Sequence, residues 1–146
     1  MEVDPKEEVS YRLSLAKEHL EAAGKRLRVE DWAGTVESSQ LAVENVAKAI
    51  IAHFYLPSWS HDPSKELEEI LDKIPNEVIE LVHKLIEIVK TLAPEHGRTT
   101  YGITSKRITP RQLYTKDHAE KAFDMAQEAM KISEEVLKRL GYRIEE

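Results

Sequence analysis

The sequence predicts an all-α protein: an antiparallel up-down four-helix bundle with one extra short helix and a long loop before the last helix. Three observations carry this. Apolar residues recur at steps of three and four over four long stretches. The prolines fall between those stretches. No stretch alternates with the period of two that a half-buried strand requires.

Each element has its own signals. Val9, Leu13, Ala16, Leu20, Ala23 and Leu27 form the seam of a first helix that ends near Val29. Asp31 is the expected N-cap of a second helix, whose stripe is Trp32, Val36, Val43, Val46, Ile50 and Phe54. It is expected to run to about Tyr55, because Pro57 forbids a clean continuation. Asp62-Pro63 then reads as a cap followed by proline at the first helical position. The short helix that follows buries Leu67, Ile70, Leu71 and Ile74, and Pro75 breaks it. Val78, Val82, Leu85, Val89 and Leu92 share one face of the next helix. Thr115 is the expected N-cap of the last helix. Its stripe of Ala119, Ala122, Ala126, Ala129, Ser133, Val136 and Leu140 is small enough for close approach to a neighbour, and Gly141 ends it.

A chain of 146 residues suffices for one domain, read here as spanning 1–146, with a real core. Charged residues make up 33% and the net charge is −6, which argues against a general nucleic-acid coat but leaves room for a local basic patch. With no cysteine there is no disulfide framework, thiolate zinc site or cysteine nucleophile. The start, Met1-Glu2-Val3-Asp4-Pro5, has neither a basic n-region nor an apolar h-region, so no signal peptide is expected. No apolar run approaches the roughly 18 residues of a membrane span, so the expected location is the cytoplasm. Abundant Lys and Glu with scarce Asn and Gln fit a thermophilic source.

Residues 93 to about 115 show no period and contain Pro94, Gly97, Gly102 and Pro110, so they read as a structureless loop. Between Ala93 and Lys116, five basic residues (Arg98, Lys106, Arg107, Arg111 and Lys116) face one acid, Glu95. Tyr101 and Tyr114 are interleaved with them. Guanidinium groups beside aromatic platforms suit phosphates and unpaired bases.

Two groups of residues have chemical potential. The first is a polar ladder beside the apolar stripe of the second helix: Glu37, then Gln40, Glu44 and Lys48 spaced four apart on one face. Ser60-His61-Asp62 follows, and the turn after the helix is expected to bring it back beside the helix end, where His61 would bond Glu44 or a backbone carbonyl. A structural polar knot is the favoured reading, because buried polar networks more often specify packing than perform catalysis. No metal site is expected, since His61 has no second His-Asp or His-x-x-x-His partner. His19, His53 and His83 read as surface or satisfied residues, and no cofactor is implied. The second group is Arg111 and His118, with six residues between them. Histidine exchanges protons with ribose and leaving-group oxygens near neutral pH, and arginine holds a scissile phosphate. Together they are the minimum equipment for metal-independent RNA cleavage.

The order Gln40-x3-Glu44-x3-Lys48-Ala49, then Ser60-His61-Asp62, then a late Arg/Tyr loop with Arg98 and Tyr101, then Tyr114-Thr115-x2-His118-Ala119-Glu120-x-Ala122, resembles the HEPN family (higher eukaryotes and prokaryotes nucleotide-binding domain) from about Val9 to Leu140. The resemblance implies a four-helix up-down bundle, commonly dimeric. It also implies a nucleotidyltransferase partner in a toxin–antitoxin-like pair, and in many members an RNase that uses an Arg-x4-6-His motif. That motif maps here to Arg111 and His118, split by Pro110 and the cap at Thr115 between loop and helix. The split favours a non-catalytic module that binds nucleotide, RNA or its protein partner. Its expected ligand-binding residues are Gln40, Glu44, Lys48, His61, Arg98, Tyr101 and Arg107. The alternative is an endoribonuclease toxin with Arg111 and His118 as its catalytic pair.

Overall fold

The computed structural model describes residues 4–144, so Met1 to Val3, part of the stretch read as lacking a leader, lie outside it. Within these residues the structure is all-helical, and its one β-interaction is an isolated bridge between Ile103 and Ile108. The helices are α1 (Pro5–Arg28), α2 (Trp32–Ala52), α3 (Ser64–Glu69), α4 (Ile79–Leu92), α5 (Glu95–Tyr101), α6 (Pro110–Leu113) and α7 (Lys116–Arg139).

Capping fixes where the long helices start. The side chains of Asp4, Asp31 and Thr115 accept from amides in the first turns of α1, α2 and α7, which would otherwise lack partners. At the far end of α7, Gly141 takes a left-handed φ of 99°, open to glycine without strain.

α2 is the central helix. It packs most extensively against α1 and α7, and it also touches α3, α4, α5 and α6. From Thr35 onward nearly every residue is buried, polar ones included, which is why its single apolar stripe understates its burial. Arg12 near the start of α1 donates to Asn45 late in α2, and Arg26 near the end of α1 donates to Gly34 O and Ser38 Oγ early in α2. Glu37 belongs to this α1 seam through Arg26, not to the rest of the ladder. Gly24 of α1 lies against the ring of Phe123 on α7, and the buried alanines of α7 pack in the same core.

Three boundaries differ from expectation. α2 stops at Ala52, and a turn carries the chain through His53 and Phe54. α3 begins at Ser64, one residue later than the Asp62-Pro63 pattern predicts, although Asp62 Oδ1 still accepts from Ser64 N at 3.1 Å. At Leu71–Lys73 the short helix tightens into a 3₁₀ turn, which leaves Leu71 only half-buried.

The largest correction concerns residues 93–115. They are ordered as α5, a tight turn and α6. Pro94 sits at the cap of α5, and Pro110 opens α6 behind a Thr109–Gln112 capping box. Gly102 closes α5 at φ 68°, ψ −141°. A Cβ there would lie 1.9 Å from Ile108 O, so the reciprocal Ile103–Ile108 bonds of 2.8 and 3.1 Å depend on glycine. Helices of seven and four residues are too short to display a period, and that is why the pattern read as none.

Candidate functional site

Two sites flank α5. The first is the polar knot, and it is buried rather than solvated: Gln40, Glu44 and Lys48 are 2%, 6% and 3% exposed. Glu44 is its centre. Its Oε2 accepts from Lys48 Nζ at 3.2 Å, and its Oε1 accepts from Gln40 Nε2 at 3.2 Å and meets His61 Nδ1 at 3.0 Å. Of the two partners expected for His61, Glu44 or a backbone carbonyl, it meets Glu44. A further histidine, His96 on α5, joins through Nδ1 to Gln40 Oε1 at 3.2 Å. The rings of His61 and His96 stack with centroids 3.6 Å apart and planes 17° from parallel. Glu44, His61 and His96 thus bring one ligand atom each within 4.8 Å of one another, supplying the second histidine that sequence inspection did not find. Pro94 followed by Glu95 is a helix-start signal, but that α5 packs on α2 and carries His96 to Gln40 is decided by the tertiary structure.

The second site is a cleft of about 270 Å³ between the start of α2, the end of α4, α5, α6 and the first turns of α7. Val36, Leu92, Ile103, Leu113, Ala122 and Met125 give it an apolar lining. Its polar wall carries Arg98, His118 and Lys121, with Glu95 and Tyr114. The Tyr114 hydroxyl donates to Glu95 Oε2, and burial and that carboxylate push its phenol far above the ordinary value. Glu95 also accepts from Arg98 at 3.3 Å, and Lys121 pairs with Asp117 at 3.0 Å. Arg98 and Lys121 are largely exposed, so these pairs are weak and leave both cations available to an anion.

His118 occupies the third position of α7 and completes its capping box. Thr115 N–H donates to His118 Nδ1 at 3.1 Å, and His118 N–H donates to Thr115 Oγ1 at 3.3 Å. Nδ1 therefore holds a lone pair and the neutral ring carries its proton on Nε2. In that tautomer His118 offers its Nε2–H as a donor, while the cap at Thr115 occupies its Nδ1.

Arg111 lies elsewhere. It lines a second cleft with Glu30, Asp31, Trp32 and Ala33, and Tyr114 stands between the two, lining both. Within the chain, Arg111 and His118 do not share a cleft. Tyr101 is 71% exposed and lines neither, and Arg107, at a left-handed φ of 56°, is exposed in the turn between α5 and α6. Of the expected ligand-binding residues, Gln40, Glu44, Lys48 and His61 come together in the knot, and Arg98 lies in the cleft. Lys121 and Glu95 also line this cleft, and the sequence reading assigned neither of them to a site.

The family model for the HEPN domain matches residues 9–138, and the chain belongs to the HEPN family. Among solved structures it is similar to TT1696 from Thermus thermophilus, with a TM-score of 0.72 and 23% identity, covering 87% of this chain and 96% of that one. At that identity the likeness shows the fold. No curated protein matches. No helix among the described residues is long and apolar enough to cross a membrane.

Proposed function

We propose that this HEPN chain, a single domain over 1–146, is a nucleotide- or RNA-binding module that acts as the dimeric partner of a minimal nucleotidyltransferase in a toxin–antitoxin-like pair. Its four long helices are read as an up-down bundle. The Arg12–Asn45 and Arg26–Ser38 bonds support opposed α1 and α2, and the Lys84–Glu128 pair with Leu92 beside Ala122 supports opposed α4 and α7. Dimer and partner follow from the family.

The observation that carries the binding role is the cleft. Its apolar lining accepts the face of a base, and Arg98, Lys121 and the Nε2–H of His118 are placed to meet phosphate oxygens. At about 270 Å³ it lies near the lower bound of small-molecule pockets, a size for one nucleotide rather than a duplex.

The ribonuclease alternative, with Arg111 and His118 as catalytic pair, has less support. The two residues line different clefts, and the His118 lone pair is engaged by Thr115. One experiment separates the readings: anisotropy of a labelled single-stranded RNA and of a labelled adenine nucleotide, wild type beside Arg98→Ala/Lys121→Ala, in EDTA. The expected result is saturable binding weakened about tenfold in the double variant, with intact RNA throughout, as for two lost phosphate contacts. Undiminished binding in the variant overturns the cleft as the site. RNA cleaved by the wild type and intact with His118→Ala establishes the ribonuclease instead.

A further inference from the structure

The knot has a feature that packing does not require: two imidazoles held face to face over a buried carboxylate, with one of them open to solvent. We infer that Glu44, His61 and His96 form a binding site for a divalent transition-metal ion of the zinc type, separate from the nucleotide cleft.

The donor set suits such an ion. Two imidazole nitrogens and one carboxylate oxygen are the ligands that Zn²⁺ takes when it leaves a fourth position to water. They come from α2, the α2–α3 connection and α5, and all three ligand atoms lie within 4.8 Å of one another. Donor atoms about 2.0–2.1 Å from a tetrahedral ion stand about 3.3 Å apart. Glu44 Oε1 and His61 Nδ1 are already 3.0 Å apart, with a proton between them that an ion can replace. His61 keeps its neutral charge by moving that proton to Nε2.

The surrounding bonds prepare His96. Gln40 Nε2 donates to a carboxylate that only accepts, and this fixes the amide so that its oxygen faces His96 Nδ1. His96 Nδ1 must then carry the proton, which leaves the Nε2 lone pair free for an ion. An amide or carboxylate behind the far nitrogen is the usual support of a metal-bound imidazole. Lys48 holds Glu44 Oε2, so the carboxylate offers a single oxygen, and the buried ammonium tempers the affinity.

One movement is required. Rings stacked 3.6 Å apart cannot both aim lone pairs at one ion, because each lone pair lies in its own ring plane. His61, whose side chain is 55% exposed, is the ring free to swing out of the stack. A bound ion would tie the α2–α3 connection and α5 to α2, and α5 also supplies Glu95 and Arg98 to the cleft.

The test uses tag-free, EDTA-stripped full-length protein. Zn²⁺ is titrated calorimetrically and Co²⁺ by visible absorption, on wild type, His61→Ala, His96→Ala and a His19→Ala/His83→Ala control. The expected result is one ion per chain with a low-symmetry Co²⁺ spectrum. Affinity falls at least about tenfold in each site variant and is unchanged in the control, the scale of loss seen when metal-site residues are removed. No saturable binding up to millimolar metal overturns the proposal, as does binding that survives His61→Ala. His61 is exposed and its removal leaves the core intact, so that variant decides the matter even if His96→Ala fails to fold.

Discussion

The knot on α2 and the cleft beside α7 lie on either side of one short helix, and they treat charge in opposite ways. In the knot, the buried Glu44 carboxylate meets Lys48, Gln40 and His61, and each of its bonds is to another side chain of the same cluster. In the cleft, Arg98 and Lys121 have partners, but those pairs are exposed and worth little. A buried charge must be satisfied by the fold itself, whereas an exposed one over an apolar lining remains available to a ligand. α5 joins the two, with His96 facing the knot and Glu95 facing the cleft.

The sharpest way to break this contrast is Glu44→Ala. It strands the Lys48 ammonium in the core, and the expected loss is about 3–5 kcal/mol, the cost of leaving one partner of a buried pair unmatched. Denaturant unfolding measures it, and a loss below about 1 kcal/mol would mean that the ladder is wetted. Next in size is Gly102→Ala. Its Cβ meets Ile108 O, so the turn must open, at about 1–3 kcal/mol of strain. Hydrogen exchange should show the loss of protection concentrated in 95–113, on the cleft side, with the α1–α2 core unchanged. Uniform loss across the chain would show that the α5–α6 segment is not a separable wall.

The smallest effect tests the cleft's own buried bond. Burial and Glu95 raise the Tyr114 phenol above its ordinary value of 10.0. For a raised acid the neutral form is the one the fold favours. The stabilisation is therefore complete below about pH 10 and declines as pH climbs above it. Thermal unfolding between about pH 9 and 11 should fall with pH in the wild type, and less steeply in Tyr114→Phe, by about 1 kcal/mol, the scale of one hydrogen bond. Equal slopes would show that the phenol is not the group responsible. Tyr55 and Tyr142 are raised too, so a residual slope is expected in the variant.

By itself the sequence determined the helices long enough to repeat: the seam of α1, the stripe of α4, the small-residue face of α7 and the caps at Asp31 and Thr115. These follow from local rules, since a period of 3.6 and a capping side chain act within one or two turns. The Glu44–Lys48 pair was legible for the same reason, being four apart on one helix, and His61 followed from the turn behind it. Only the tertiary structure decided that the ladder is buried, because that depends on α5 covering a face of α2 that is polar in sequence. It alone brought His96 to Gln40 across 56 residues, set Lys121 and Arg98 around one cleft, and placed Arg111 beyond Tyr114. The physical reason is the same in each case. Segments of seven and four residues carry too few side chains to show a pattern, so α5 and α6 take their positions from the helices they pack against.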